Sequence, residues 1–359
     1  MSAPVLIIGG GPAGMTLALA LHRSGVPSRI VDARPRGAAQ SDARILALSY
    51  GSRLILESLG LWRSIPHTPI ETIHVSHAGG FGRTVMRAAE AGVPALGYVL
   101  SAGALAAALD GELDRLGIEF AAETQAPQDS NAALTVHAEG RVDATTGVIS
   151  RDYGQHAVIC LACGARPHGG IAWERFTPEG PVALLPYEAG YAVVLTCPAE
   201  ESARIAALEE AAFLSLLQER FGPRVKLTSV GPRQVHPLGL RMRRNIVAER
   251  AVWIGNAAQT LHPVAGQGFN LALRDIMELA ETLADAPDPG DAALLERYAR
   301  GRQLDRRATA TFTGLLVRLF SNDFGPLKHL RGLGLLALDL LPPARAFLAR
   351  RMMFGARAW

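Results

Sequence analysis

The sequence is poor in cysteine, and this limits the redox and metal chemistry that it can support. Three cysteines occur among 359 residues, and only Cys160 and Cys163 form a C-x-x-C pair. The pair lies in the apolar stretch HAVICLAC, which predicts a buried strand in which positions three apart face opposite sides. Because no second pair is present to complete a zinc site, buried thiols are favoured over redox chemistry, and no metal site is expected.

The sequence also lacks strong charge bias and long apolar runs. The 36 Lys and Arg residues nearly balance 33 Asp and Glu residues, and no basic run interleaved with aromatic residues is present, so no nucleic-acid partner is expected. Apolar runs such as GLGLLALDLLPP are too short to span a membrane. Since residues 4–8 also lack a basic leader, we expect a cytoplasmic protein, and the length predicts two domains.

The strongest local signal in the chain lies in its first 35 residues. An apolar strand runs into a G-x-G-x-x-G turn, a helix extends to Ser24, and a second strand over residues 28–31 ends at Asp32. The glycines allow a tight turn, close approach of a pyrophosphate and close packing of the helix on the strand, and the helix N-terminus attracts phosphate. Asp32 has the spacing of an acid that accepts hydrogen bonds from ribose hydroxyls. The segment therefore predicts a dinucleotide site at Gly9, Gly11, Pro12, Ala13 and Gly14.

A second glycine-rich loop lies far along the chain. Residues 250–255 read as a buried strand that ends in Gly-Asn, and an amphipathic helix begins near Gly268. The loop presents a second helix N-terminus, which can stabilise negative charge on a reduced flavin ring, while Asn256 can bond the ribityl chain. Two such helix ends predict FAD rather than a nicotinamide dinucleotide.

On these motifs the chain resembles the FAD-dependent aromatic hydroxylases of the p-hydroxybenzoate hydroxylase type, and within them the ubiquinone-biosynthesis hydroxylases. The segments that carry the resemblance are IIGGGPAGMTLALAL with VDARP, DARILALSYGSRLILESLGLW, DYGQ, ERFTPEGPVALLP and GNAAQTLHPVAGQGFNLALRD. Asn256 and Gln259 replace the usual Asp and His, and this version is most similar to the subgroup that hydroxylates 2-octaprenyl-6-methoxyphenol. FSNDFGPLKHLRGLGLLALDLLPP resembles the C-terminal region of that subgroup.

The resemblance implies an α/β fold. A Rossmann-like FAD-binding domain of the glutathione-reductase type is expected to be interleaved with an antiparallel β-sheet substrate domain, followed by C-terminal helices. The expected segments are 1–70, 97–143 and 235–286 for the FAD-binding domain, 71–96 and 145–234 for the substrate domain, and 290–359 for the helices. Within the substrate domain, the spacing of apolar residues predicts one helix over residues 200–221.

The activity implied by the resemblance is hydroxylation of the aromatic ring of a polyprenyl phenol in ubiquinone biosynthesis. NAD(P)H reduces FAD, O2 adds to give a flavin C4a-hydroperoxide, and its distal oxygen is transferred to the ring. His262 and Pro263 are the catalytic candidates at the flavin face. The expected FAD contacts are Gly9, Gly11, Pro12, Ala13, Gly14, Asp32, Ala33, Arg34, Arg44, Asn256, Pro263, Gly266, Gln267, Gly268, Phe269 and Asn270.

Two departures from the family pattern leave other functions open. Glu139-Gly140 stands where the family has Asp-Gly, after a segment, residues 117–131, that is too short for the usual strands. The helix expected to begin near Ser101 also lacks the Arg or Gln that the family often has at its start. The alternatives are an FAD-dependent reductase or dehydrogenase, and a non-catalytic flavin-fold subunit of a biosynthetic complex. No second G-x-G-x-x-G follows a strand, so NAD(P)H is expected to bind transiently. The basic, apolar C-terminal region fits either peripheral docking on the inner face of a membrane or a packed helical pair with solvated arginines.

Overall fold

The computed structural model describes residues 4–127, 131–142, 147–262, 266–320 and 325–355. The strands are β1 (Val5–Ile8), β2 (Ser28–Val31), β3 (Ile45–Ser49), β4 (Thr68–Ile70), β5 (Thr72–His77), β6 (Arg83–Arg87), β7 (Gly97–Ser101), β8 (Phe120–Ala121), β9 (Leu134–His137), β10 (Val148–Gly164), β11 (Ile171–Thr177), β12 (Gly180–Tyr187), β13 (Gly190–Pro198), β14 (Leu227–Val230), β15 (Gln234–Arg243), β16 (Val247–Ala248), β17 (Ala251–Trp253) and β18 (Gln259–Thr260). The helices are α1 (Pro12–Arg23), α2 (Tyr50–Ser58), α3 (Ala88–Ala91), α4 (Ala102–Leu116), α5 (Ala199–Ala206), α6 (Glu210–Phe221), α7 (Gln267–Leu283), α8 (Ala292–Phe320), α9 (Gly325–Leu340) and α10 (Pro342–Phe354).

The first large sheet is mainly parallel and has the strand order β16-β17-β9-β1-β2-β8. Strand β1 lies at its centre, parallel to both β2 and β9, and β9 is in turn parallel to β17. All four residues of β1 are buried, as expected for a strand covered on both faces. Helices α1, α4 and α7 contribute buried leucines and isoleucines to the same core. This sheet is the predicted Rossmann-like half of the fold.

The second large sheet is mainly antiparallel and has the order β18-β15-β10-β13-β12-β11-β5-β6, with β14 paired to β10. Helices α5 and α6 cover one of its faces and form a core with β10, β12 and β13. A third sheet, β3-β7-β4, completes the strands. The predicted α/β architecture with a parallel sheet and an antiparallel sheet is therefore confirmed.

The chain passes between the two large sheets more than once. Residues 235–286, which the sequence assigns to the FAD-binding domain, contribute β16 and β17 to the parallel sheet but most of β15 and all of β18 to the antiparallel sheet. The division into 1–70, 97–143 and 235–286 against 71–96 and 145–234 stays a proposal.

The N-terminal elements agree closely with their predicted bounds. Helix α1 has a proline in its first turn, where the missing N–H has no intrahelical partner, and it ends at Arg23 with Ser24 as its C-cap. The following Gly25 has φ of +71°, a left-handed conformation that glycine adopts without strain. The predicted strand around the C-x-x-C pair is also confirmed, because both cysteines lie in β10 on opposite faces. The expectation of a buried thiol holds for Cys160 but is wrong for Cys163, which is exposed. Burial raises the pKa of Cys160 to about 11, so it stays a thiol at neutral pH.

The single helix predicted over residues 200–221 is wrong. The structure has two helices, α5 and α6, separated by residues 207–209. Ser202 and Ile205 of α5 and Phe213, Leu217 and Phe221 of α6 are all buried. On one straight helix these five side chains would spread over about 160° of its circumference. The break lets both helices turn their apolar sides to the same sheet.

The predicted C-terminal helices are α8, α9 and α10. Among the described residues, no single helix is long and apolar enough to cross a membrane, whereas the pair Arg331–Leu340 and Pro342–Phe354, bent by 100°, meets that requirement by length and composition. Ala349 and Met353 of α10 pack on Met86, Ala88 and Leu96. The last two helices thus close one side of the molecule.

Candidate active site

A cavity of about 1590 Å³ connects the two glycine-rich turns with the antiparallel sheet. The turn at Gly11, the loop at Gly266 and the inner face of the antiparallel sheet all line it. Residues of α8, α9 and α10 complete the described lining. Its volume exceeds the range of about 300–1,000 Å³ that holds one small ligand, so there is room for a cofactor and a second molecule.

Gly9, Gly11 and Gly14 have different structural roles in the first turn. Gly9 has φ of +111°, and a Cβ on Gly14 would lie 2.0 Å from the carbonyl oxygen of Gly9, so α1 packs against the end of β1 only without a side chain there. A Cβ on Gly11 would have no neighbour closer than 4.0 Å, and Gly11, Pro12 and Ala13 line the cavity. The backbone at Gly11 is therefore open to a ligand, whereas Gly9 and Gly14 shape the turn.

Asp32 lies at the end of β2, beside the first turn. Its carboxylate accepts hydrogen bonds from the backbone N–H of Gly10 at 2.6 Å and from the guanidinium of Arg34 at 2.9 and 3.1 Å. Burial opposes ionisation of Asp32, but the hydrogen bonds from Arg34 and Gly10 outweigh it and lower the pKa of the carboxyl. Asp32 and Gly10 line a smaller adjoining pocket, and Arg34 lines both pockets. Ala33 is exposed and lines neither.

The second loop meets the first turn directly. A Cβ on Gly255 would lie 3.0 Å from the Cβ of Ala13, so the two motifs are in contact at this point. Asn256, Gly266, Gln267, Gly268 and Phe269 line the cavity next to that contact. Gly266 caps α7 in the left-handed conformation with φ of +60°. The free N–H groups of the first turn of α7 therefore lie beside the same cavity as the first motif.

Asn270 makes four hydrogen bonds within the protein. Its Oδ1 accepts from the N–H of Ser49 at 2.8 Å and from the hydroxyl of Ser52 at 2.6 Å. Its Nδ2 donates to the carbonyl oxygens of Ala47 at 3.0 Å and Gly266 at 2.6 Å. These bonds use the full capacity of the amide, so Asn270 fixes the loop against β3 and α2.

The two catalytic candidates of the sequence have different outcomes. Pro263, like Ala265, lies outside the described residues. His262 lines the cavity with only 1% of its surface exposed, and its ring meets Tyr153 edge to face at 5.6 Å. Burial lowers the pKa of His262 to about 4. At neutral pH the imidazole is therefore uncharged and cannot act as a cationic acid.

The remaining expected contacts also face the cavity. Arg44 lines it and forms an ion pair with Asp42 at 2.6 Å. Glu139 and Gly140, the expected counterparts of the Asp-Gly motif, line it as well, and Gly140 has φ of +84°. They directly follow the short strand β9 and Ala138, so the shortened middle section still delivers these two residues to the site.

The antiparallel sheet supplies an aliphatic wall with one carboxyl group. Across the strands, Val75, Glu174, Ala183, Val194 and Ile159 are register partners in that order and all line the cavity. Residues paired in this way point to the same face of a sheet. Among the described residues of β5, β6 and β10–β13 that line the cavity, Glu174 is the only ionisable one.

The environment of Glu174 changes its protonation. Burial raises the pKa of its carboxyl to about 7. No hydrogen bond or ion pair of the carboxylate is present among the described residues, although Thr84 and Thr196 also line the cavity. A carboxyl group poised near neutral pH in an apolar cavity can exchange a proton with a bound molecule.

Sequence reasoning missed Glu174 as a site residue. It lies within the family-like segment ERFTPEGPVALLP, but both faces of β11 are covered and no alternation of polar and apolar residues marks the side that faces the cavity. The available signal was an adjacent Glu174-Arg175 pair within a strand that is otherwise mostly apolar.

An open glycine turn at the start of α1 and a second helix N-terminus on the same cavity, with an acid at the end of β2 in the adjoining pocket, define a dinucleotide-dependent oxidoreductase. The second helix end distinguishes a flavin site from a nicotinamide site, because both ends of an extended FAD need a partner. The backbone left open at Gly11 fits this cofactor.

Comparison with known proteins gives the family. The family model described as FAD binding domain matches residues 2–160 and 152–313. The chain is 35% identical to "Ubiquinone hydroxylase UbiL" of Rhodospirillum rubrum over 98% of its length and 89% of that protein. It is 30% identical to "3-demethoxyubiquinol 3-hydroxylase" of Escherichia coli over 93% of its length and 94% of that protein. The crystal structure of Klebsiella pneumoniae HpxO complexed with FAD is similar with a TM-score of 0.76 and 15% identity, covering 99% of each chain.

The chain therefore belongs to the FAD-dependent aromatic hydroxylases, in the family that contains the ubiquinone hydroxylases. It is a flavoprotein monooxygenase with FAD as its cofactor. This confirms the family, the cofactor and the enzyme class that the sequence predicts.

Proposed function

We propose that the protein hydroxylates the aromatic ring of a polyprenyl phenol in ubiquinone biosynthesis, with NAD(P)H and O2 as co-substrates. The names of the two relatives support ubiquinone biosynthesis as the context. The observation that carries the proposal is the single carboxyl group of Glu174 in the aliphatic wall of the cavity. A phenol needs both an apolar wall and a proton acceptor, because its ring is apolar and its hydroxyl group is acidic.

The protein residues have distinct roles in this proposal. The open backbone at Gly11 and the N-terminus of α1 hold the pyrophosphate, and the N-terminal amides of α7 bond the flavin ring. FAD, when bound, supplies the activated oxygen. The carboxylate of Glu174 accepts the proton of the phenol hydroxyl, which raises the electron density of the ring. The aliphatic residues around it exclude water from the reaction.

Oxygen use separates hydroxylation from the alternative reductase or dehydrogenase. An FAD-dependent enzyme that saturates prenyl double bonds adds a hydride and a proton and turns over without O2, whereas a hydroxylase consumes O2 with its substrate. The alternative of a non-catalytic subunit predicts that purified protein lacks bound FAD, which its absorption spectrum reveals directly.

The end of the cavity near α9 and α10 fits the lipophilic tail. Leu338, Phe347 and Leu348 line it there, and Leu340 and Leu341 at the junction of the two helices are exposed. A substrate with a prenyl tail lives in a bilayer. We propose that the protein associates peripherally with the inner face of a membrane on this side.

Replacing Glu174 tests the function. In Glu174→Gln we expect a decrease in kcat of about 100-fold for phenol hydroxylation, because the proton acceptor is lost. For the unchanged protein, kcat/KM rises as the pH passes about 7, since Glu174 must be ionised to accept the proton. That rise is absent in the variant. Product formation measured by mass spectrometry, with O2 consumption across pH 5.5–9, provides the readout.

A matched control distinguishes catalysis from a general loss of charge. Glu179→Gln removes a carboxylate from the exposed turn between β11 and β12 and leaves the rate and its pH profile unchanged. Both variants retain FAD. Hydroxylation by Glu174→Gln at the unchanged rate, with the same pH profile, contradicts the role of Glu174, whereas failure of the unchanged protein to hydroxylate any phenol contradicts the function itself.

A further inference from the structure

A second cavity, of about 640 Å³, lies at the β5–β6 edge of the antiparallel sheet. Arg175 follows Glu174 in β11, so its side chain points to the opposite face of the sheet from the substrate cavity. Arg83 and Arg224 line the cavity together with it. Three arginine residues therefore line a cavity that the hydroxylase chemistry does not use.

The positive charge of this cavity has little compensation. Among the described residues, none of the three arginines has a carboxylate partner within the 4.0 Å limit of an ion pair. Asp339 is the only acid among the described residues of the lining, and its Oδ1 accepts a hydrogen bond from the N–H of Val85 at 3.2 Å. Burial, and then Arg224, lower the pKa of Arg175. An anion in the cavity would relieve this repulsion.

Two histidines support the same conclusion. Arg224 donates a hydrogen bond of 2.8 Å to Nε2 of His74. Burial, then Arg224 and Arg83, lower the pKa of His74 to about 4, so it stays neutral and adds no competing charge. His77 lines the cavity and is 95% buried, since only 5% of its surface is exposed. Its Nδ1 lies 3.0 Å from the carbonyl oxygen of Ala78, and its Nε2 has no hydrogen-bond partner among the described residues.

The glycines of the turn between β5 and β6 let its backbone pack closely against His77 and α9. A Cβ on Gly80 would overlap the ring of His77, and a Cβ on Gly82 would lie 2.3 Å from the carbonyl oxygen of Gly332 in α9. The glycines of GGFG, which fit no nucleotide motif, thus allow His77 and α9 to border the same cavity.

An apolar ridge runs from this cavity across the surface. It consists of Phe81, Leu333, Leu336, Leu340 and Leu341, which are between 37% and 68% exposed. Three of its leucines follow helical spacing on α9, and Leu336 also lines the cavity. Cationic groups beside an exposed apolar ridge complement a molecule with an anionic head and apolar chains.

We propose that the cavity of Arg83, Arg175 and Arg224 binds the phosphate of an anionic phospholipid headgroup, while the apolar ridge enters the acyl-chain region of the bilayer. Two of the C-terminal arginines are less suited to this role, because Arg331 is only 9% exposed and Arg345 pairs with Glu90 at 3.1 Å. The site is separate from the substrate cavity, so the proposal holds whatever the enzyme hydroxylates.

Vesicle binding by the FAD-loaded protein tests this site. We expect the protein to partition onto vesicles of phosphatidylglycerol and phosphatidylcholine, and less onto phosphatidylcholine alone. In the double variant Arg83→Gln/Arg224→Gln, the partition coefficient decreases by roughly tenfold or more, as two cationic groups leave the headgroup region. Sedimentation at two salt concentrations measures both effects.

A second double variant controls for net charge. Arg297→Gln/Arg300→Gln removes the same two charges from exposed positions of α8, near its contact with the first core, and leaves the partition coefficient within about twofold. If Arg83→Gln/Arg224→Gln is unstable, the single variant Arg83→Gln, at an exposed position, is expected to show part of the decrease. Equal weakening by both double variants, or equal binding to neutral and anionic vesicles, overturns the proposal.

Discussion

At the residue scale, a buried ion-pair network explains why glutamine suits position 259. Gln259 donates to Asp275 at 2.7 Å and accepts from Arg306 at 2.7 Å, so its amide bridges an acid and a cation. Arg302 bonds both Asp275 and Asp305. All five side chains are at most 4% exposed. The network anchors α7, which carries the second glycine-rich loop, to α8.

Removing one acid from this network should destabilise the fold. Asp305 accepts from Arg302 and from Arg274, each at 2.7 Å. In Asp305→Asn we expect the free energy of unfolding to decrease by roughly 3 kcal/mol, because buried cations lose their partner. Urea unfolding measures the change. Asp285→Asn, at an exposed position in the turn after α7, changes it by less than about 0.5 kcal/mol.

The same acid should make stability depend on pH. Burial opposes ionisation of Asp305, but Arg274 and Arg302 outweigh it and lower the pKa to about 2. A depressed folded-state pKa stabilises the fold above the unfolded value of about 4, and this contribution is lost as the pH falls from about 4 towards 2. The loss amounts to about 2 kcal/mol, and it should be absent in Asp305→Asn. Acid unfolding that follows the same course in both proteins contradicts the assignment.

Residues of the candidate site differ in how far the sequence could predict them. Gly11 and Asp32 belong to a motif contained in one short segment, so their local spacing was sufficient to predict them as site residues. Asn270 was expected to contact FAD, yet its amide bonds Ala47, Ser49 and Ser52, whose proximity depends on long-range folding. Glu174 could not be placed, because strand pairing decides which face of β11 meets the cavity.

At the element scale, the contact between β1 and α1 depends on glycine at position 14. In Gly14→Ala, the new Cβ would lie 2.0 Å from the carbonyl oxygen of Gly9, so strand and helix must separate. We expect a loss of roughly 3 kcal/mol in the free energy of unfolding and weaker retention of FAD. Thermal unfolding and flavin absorbance after gel filtration provide the measurements.

A second glycine variant tests whether close packing causes the loss of stability expected for Gly14→Ala. Gly111 lies within α4, and a Cβ there would have no neighbour within 4 Å. Gly111→Ala should therefore stabilise the protein by about 0.5–1 kcal/mol, because alanine favours the helix. If Gly14→Ala behaves in the same way as Gly111→Ala, the close contact is not needed.

The elements themselves were predictable where their signal is local. The bounds of β1, α1 and β2 followed from a short apolar strand, a glycine turn and the next strand. The strand order of the antiparallel sheet could not be predicted from the sequence, because β5 pairs with β11, which lies nearly 100 positions later. The break between α5 and α6 was missed because both helices carry apolar residues at a spacing that one helix also satisfies.

At the scale of the whole molecule, the long cavity predicts selection for tail length. Leu338 lines the cavity from α9, toward the end proposed for the prenyl tail. A tryptophan there would narrow the passage, so in Leu338→Trp we expect KM to rise by roughly tenfold for a long-tailed phenol, with little change for a tail-free phenol. Steady-state kinetics with phenols of increasing tail length provide the test.

The same change from leucine to tryptophan at a surface position serves as the control for this experiment. Leu304 lies on α8, 67% exposed and outside the lining of the cavity. Leu304→Trp leaves both KM values unchanged. An equal rise in KM for long and short substrates in Leu338→Trp places the tail elsewhere.

The bonds of Asn270 have a consequence for the order of events during synthesis. They join residues 47–52 to residues 266–270, and β9 completes its pairing only when β17 is present. A nascent chain that has left the ribosome only as far as β14 carries the pyrophosphate turn without the loop that completes the grip on the flavin. We therefore expect the chain to retain FAD only after α7 has left the ribosome, and chains that end before the second loop to bind FAD weakly.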